Sequence, residues 1–202
     1  RLMRAQMLLD RYRDRALSPV EVTRSVIGHI ARWEPSLQAL YLHRPERALA
    51  LARDSEARWL RGEPLGPVDG VPLTLKDNIA TAGDPTPLGT AATELVPAAA
   101  DAPPAARLRE SGAVLLAKTT MPDYGMLSSG LSSFHALARN PWNLARTPGG
   151  SSAGAGAAAS AGYGPIHVGT DIGGSLRLPA GWCGIATLKP SLGRIPIDPP
   201  YT

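Results

Sequence analysis

Thr147-Pro148-Gly149-Gly150-Ser151-Ser152 opens a stretch that closes, 24 residues after Ser151, at Asp171-Ile172-Gly173-Gly174-Ser175. Between the two glycine-serine loops, Ser152 to Ala161 is composed of Ser, Ala and Gly alone and reads as a small-residue helix. Ile166-His167-Val168-Gly169 then reads as a short apolar strand. Loop, helix, strand and second loop form one α/β unit. The neighbouring sequence extends the pattern. Val71-Pro72-Leu73-Thr74-Leu75-Lys76 reads as a strand running into a loop, and Asp101 to Ser111 as a helix closed by Gly112. Ala113-Val114-Leu115-Leu116-Ala117-Lys118 is apolar without alternation, the mark of a strand buried on both faces. Ile185-Ala186-Thr187-Leu188-Lys189 reads as one more strand. Helices alternating with short apolar strands predict an α/β fold.

Further upstream the chain is helical. Ser18 caps, Pro19 suits the first helical position and Glu21 completes a capping box. Val22, Val26, Ile27 and Ile30 follow at helical spacing. A second helix is predicted from about Pro45 to Arg61, with Ala48, Leu51, Ala52, Ala57 and Leu60 on its apolar side. Gly62 ends it and Pro64 lies beyond. Arg1 to Ala16 reads as an amphipathic helix. The tail from Ile195 to Thr202 carries no terminal element.

Bulk properties narrow the functional classes. A chain of 202 residues can bury one sizeable core. No run of 18 apolar residues predicts a membrane span. Arg1-Leu2-Met3-Arg4 has no apolar h-region and no cleavage pattern, so a secretory signal is not expected. It lacks an initiator Met, so residues upstream are expected. One cysteine, Cys183, excludes an intramolecular disulfide and a cysteine metal cage, and fits a cytoplasmic protein. The net charge is +4, but the arginines are scattered apart from Arg1 to Arg15. That cluster reads as a charged helix face, so nucleic acid is not the expected partner.

The chemistry concentrates in three places. Ser175 needs a base and an oxyanion site to act as a nucleophile. Gly173-Gly174 leaves the amides of Ile172, Gly173, Gly174 and Ser175 free of shielding side chains, so they can converge on an oxyanion. Taken alone, the same run is a tight turn after a strand. Ser151 follows Gly149-Gly150 in the same way, with Ser152 as the expected helix cap. Lys76 is one of three lysines and follows an apolar run. A lysine at pH 7 is protonated, but burial that brought it from about 10.4 to about 7 would free its lone pair at a cost of about 5 kcal/mol.

Rival chemistries fit less well. Gly154 is followed by Ala155 rather than Lys, and Gly154-Ala155-Gly156-Ala157-Ala158-Ala159 lacks the third glycine of a dinucleotide fingerprint. His29, His43, His135 and His167 have no aspartate partner recognisable by spacing, and His167 reads as a satisfied core group. No H-E-x-x-H and no cysteine pair suggests a metal.

The ordered set of segments resembles the amidase signature enzymes. Gly70 to Asn78 is similar to the family's lysine segment. Arg139-Asn140-Pro141-Trp142-Asn143 resembles its approach to the glycine-serine loop. Gly149 to Ala161 and Gly169 to Pro190 are similar to the signature itself, with Ala153 where glycine is usual. The resemblance implies a mixed, mainly parallel sheet covered by helices on both faces. It implies one domain over residues 1–202, the N-terminal part of a family domain more than twice as long. By match, Ser175 is the acylating nucleophile and Lys76 the base. Ser151 is the bridging serine, held through a cis Gly150–Ser151 bond. Met126 falls near a substrate contact. Ile172, Gly173 and Gly174 fall in the oxyanion site. The implied activity is amide hydrolysis through an acyl-enzyme, without metal or other cofactor. The implied partner is a small-molecule amide, with no membrane and room for a homo-oligomer. A glutaminase-type subunit of a tRNA-dependent amidotransferase and a non-catalytic remnant are the alternatives.

Overall fold

The computed structural model describes residues 3–196. Its N-terminal helices form where the sequence places them. α1 (Ala5–Arg13) buries Leu8, Leu9 and Tyr12, and the predicted Arg1 and Leu2 lie outside the described residues. α2 (Pro19–Leu37) starts with the expected reciprocal cap. Glu21 N–H donates to Ser18 Oγ at 3.2 Å and Ser18 N–H donates to Glu21 Oε2 at 2.8 Å. Such a cap is worth about 1 kcal/mol. α3 (Pro45–Arg61) ends at Gly62, whose φ of 76° is the left-handed conformation that glycine adopts without a side-chain clash.

The sheet has four strands: β1 (Leu40–Tyr41), β2 (Pro72–Lys76), β3 (Val114–Thr119) and β4 (Ile166–Val168). Their order is β1-β3-β2-β4. β2 runs parallel to both β3 and β4, and only β1 is antiparallel, against β3. α4 (Pro103–Glu110) packs Ala105 and Leu108 against Leu73, Leu75 and Leu115. Val114 and Leu116 turn the other way. They meet Ile30 of α2, Ala48 and Ala52 of α3, and Ala157 and Ala158 of α5 (Ala153–Ala161). Helices therefore cover both faces, as a parallel sheet requires. Burying Leu73 or Leu116 contributes about 2 kcal/mol each.

The small residues of α5 have a positional purpose. Gly154 N–H donates to Thr120 O at 3.0 Å. A methyl group on Gly154 would stand 2.5 Å from Thr120 N. Only a glycine lets the first turn of α5 rest directly on the end of β3.

One expectation fails and one element was not foreseen. Ile185 to Lys189 forms no strand. β4 is the sheet edge among the described residues, so this apolar run has no partner there, and Leu188 is left 80% exposed. Ile185 N–H is used instead to close an unpredicted helix, α6 (Arg177–Cys183), by donating to Ala180 O at 3.0 Å. Pro179 is tolerated because it sits in the first turn, where its missing N–H has no helical acceptor. The tail beyond residue 196 lies outside the described residues. No helix among them is long and apolar enough to cross a membrane.

Candidate active site

Parallel strands deliver their C-terminal ends to one edge of a sheet, where ligand sites of α/β folds form. β2 ends at Lys76, β4 leads into Thr170 to Ser175, and Ser151 precedes α5 on the same face. The Lys76 side chain is fully buried and Ser151 is 3% exposed. Lys76 Nζ donates to Ser151 Oγ at 2.8 Å and to Thr170 Oγ1 at 2.8 Å. Asn78 Nδ2 donates to the same Thr170 hydroxyl at 3.1 Å. The Gly150–Ser151 peptide is cis. Burial pushes the Lys76 ammonium down to about 7, against the opposing charges of Asp77 and Asp171.

The second loop is held by one carboxylate. Asp171 accepts from the amides of Gly174 at 2.7 Å, Leu176 at 3.0 Å and Arg177 at 3.3 Å. The Arg177 guanidinium adds bonds of 3.0 and 2.9 Å. That guanidinium, with the three amides, holds the Asp171 carboxyl far below the usual carboxylate range despite some desolvation. Ser175 closes this loop, half-buried, and its carbonyl accepts the Ser152 N–H at 3.1 Å. Its hydroxyl has no hydrogen-bond partner among the described residues.

Two expectations are corrected here. Gly174 N–H is committed to Asp171, so the amides of this loop left without an acceptor among the described residues are those of Ile172, Gly173 and Ser175. Ser152 occupies the N-cap position of α5 but makes no side-chain cap. Its hydroxyl instead donates to Thr170 O at 3.1 Å, and its amide donates to Ser175 O at 3.1 Å. The two glycine-serine loops are thereby tied to each other.

A third wall comes from residues 121–135. A 3-10 turn at Asp123–Gly125 leads to Met126, which is 80% exposed beside the site. Gly125 has φ of 71°, and a methyl group there would stand 3.2 Å from Ser151 Oγ. Of the histidines, His167 has both ring nitrogens engaged, by Thr74 Oγ1 at 2.8 Å and Gly164 O at 3.0 Å. His135 does have an aspartate partner, Asp77, at 2.7 Å. Their separation of 58 positions hid this pair from a reading by spacing. Thr170 and Asp171 were also missed as site residues, although Asp171 ahead of Gly173-Gly174 is a turn signal of its own. Among the described residues no three His, Cys, Asp or Glu side chains gather where a metal could bind.

The family model described as Amidase matches residues 21–201. The chain belongs to the amidase signature family. Over 179 residues it is 41% identical to a glutamyl-tRNA(Gln) amidotransferase subunit of Chloroflexus aggregans, covering 89% of this chain and 37% of that one. Identity to the same-named protein of Moorella thermoacetica is 42%, covering 95% of this chain and 39% of that one. The solved structure of a bacterial aryl acylamidase of the amidase signature family superposes with a TM-score of 0.92 at 33% identity. It covers 98% of this chain and 42% of that one. Peptide amidase from Stenotrophomonas maltophilia matches at a TM-score of 0.79 and 31% identity, covering 86% of this chain and 37% of that one. The chain thus spans a little over a third of the length of the curated relatives it matches.

Proposed function

We propose that this chain is the N-terminal part of a single amidase domain that hydrolyses a carboxylic amide C–N bond through Lys76, Ser151 and Ser175. The observation that carries the reading is the fully buried Lys76, its ammonium held down near neutral pH, 2.8 Å from Ser151 Oγ. A neutral Lys76 accepts the Ser151 proton as Ser151 accepts that of Ser175. Ser175 Oγ attacks the carbonyl carbon. The amides of Ile172, Gly173 and Ser175 stabilise the oxyanion. The relay returns the proton to the leaving nitrogen, the C–N bond breaks, and water then hydrolyses the ester. Met126 lies along the substrate's approach.

A second reading is supported by the names of the curated relatives: a glutaminase-type subunit of a tRNA-dependent amidotransferase, working with partner proteins. Both readings use the same nucleophile. They separate on purification: copurification in a fixed-stoichiometry complex with glutamine turnover favours the amidotransferase. Turnover of simple amides by the full-length protein alone favours the hydrolase. Undiminished amide turnover in Ser175→Ala would sink both.

A further inference from the structure

Asp77 follows the proposed base in sequence and is fully buried, yet the relay does not use it. Its carboxylate gathers three donors from two separate loops. Leu88 N–H donates at 3.2 Å, Gly89 N–H at 2.7 Å and His135 Nε2 at 2.7 Å. The His135 side chain is itself 3% exposed, wedged edge-on against Tyr41 and Phe134. The same loops are stitched together again nearby. Tyr124 N–H donates to Leu88 O at 2.8 Å and Ala91 N–H to Ser133 Oγ at 3.0 Å, while inside the second loop Ser133 donates through its amide and its hydroxyl to Asp123 Oδ1 at 2.9 Å each. Ser132 Oγ accepts from His135 N at 2.8 Å and donates to Gly89 O.

This stitched wall presses on the bridging serine. A methyl group on Gly150 would stand 2.5 Å from Ser129 N and 2.6 Å from Leu127 O. Gly125 closes on Ser151 Oγ from the same wall, where an added methyl would already be crowded at 3.2 Å. The wall is therefore packed against the Gly150–Ser151 backbone and hydroxyl. Besides its covalent continuity with β3, which pairs Thr119 with Lys76, the wall is attached to the end of β2 through the Asp77 side chain.

We infer that His135 is a positioning residue. Its Nε2–H, given to Asp77, latches residues 121–135 to the end of β2 and sets the separation of Ser151 from Lys76. The inference rests on the amide-hydrolysis reading only for its kinetic consequence; the latch itself is a matter of geometry. Asp77 needs a donor at this point because a buried carboxylate left short of a partner is costly. Glutamine carries its side-chain N–H at a reach similar to that of His Nε2, whereas leucine fills similar space with no donor.

The test uses the full-length protein with His135→Leu and His135→Gln, read by amide hydrogen exchange and by steady-state kinetics. His135→Leu is expected to speed exchange at Leu88, Gly89 and Tyr124 at least about tenfold while α2 and α3 stay protected. It is expected to lower kcat about 10- to 100-fold with KM within about threefold, because the loss is one of relay geometry. His135→Gln restores both readouts to within about threefold of the wild type. The inference is overturned if His135→Leu leaves exchange at those amides and kcat unchanged, or if His135→Gln is as impaired as His135→Leu. Should His135→Leu not fold, His135→Gln and Ser133→Ala still decide. The first must keep wild-type kcat and exchange. The second must loosen Tyr124 and lower kcat; failure of either overturns the latch. If the wild type turns over no amide but the exchange pattern holds, the latch stands and the functional reading falls.

Discussion

Replacing Lys76 by methionine should make the protein inactive and, at neutral pH, more stable. A lysine ordinarily titrates at 10.5, and burial lowers Lys76 to about 7. That difference disfavours the buried ammonium by about 5 kcal/mol relative to the unfolded chain. Below pH 7 both states are protonated and the whole penalty falls on the folded state. Between 7 and 10.5 the unfolded chain binds the extra proton, so stability rises with pH by about 1.4 kcal/mol per pH unit from this group. Methionine removes the penalty but forfeits the hydrogen bonds to Ser151 and Thr170, at about 1 kcal/mol each. The net expectation for Lys76→Met is a gain of about 3 kcal/mol at pH 6 to 7, shrinking to about zero near pH 9. Urea unfolding of wild type and variant at about pH 6.5, 8 and 9 measures it. A variant that is less stable than wild type at the lowest pH, or whose difference from wild type does not change with pH, refutes the buried, depressed lysine.

Other expectations follow from the same geometry. Activity should climb with pH through about 7, because Lys76 must lose its proton to serve as base. Asp171→Asn removes a charge that holds Lys76 up, so the acid limb of kcat/KM should move to lower pH. The same variant frees the Gly174, Leu176 and Arg177 amides from their carboxylate, so kcat should fall by at least about tenfold in a turnover assay. An unmoved limb with full kcat counts against both roles. Gly125→Ala places a methyl 3.2 Å from Ser151 Oγ at a φ of 71°. It should cost about 1–2 kcal/mol in unfolding free energy and depress turnover, whereas a neutral outcome would mean that the wall does not press on the relay.

Local signals carried much of this fold into the sequence. The Ser18–Glu21 capping box and Gly62 bracket α2 and α3 because caps are set by a few adjacent residues. β3 was legible because a central parallel strand is apolar throughout. β1 was not: two residues are too few for any period, and only the exposed edge of β3 makes Leu40–Tyr41 a strand. Ile185 to Lys189 misled because an apolar run becomes a strand only where an edge waits for it. Within the site, Lys76, Ser151 and Ser175 stood out through their glycines and their apolar run-in. The supports did not. The Asp77–His135 bond joins residues 58 apart, and Thr170 meets Lys76 across 94 positions. The second pairing follows from the parallel register of β2 with β4 rather than from neighbouring sequence.

The central claim is that Ser175 is the nucleophile and that Lys76 activates it through Ser151. Labelling the full-length protein with a fluorophosphonate and locating the adduct by fragment-ion mass spectrometry tests it most directly. The account predicts one adduct, on Ser175, that forms in the wild type and is lost or slowed at least about a hundredfold in Lys76→Met. An adduct on Ser151, or labelling of Ser175 at the wild-type rate without Lys76, would contradict it.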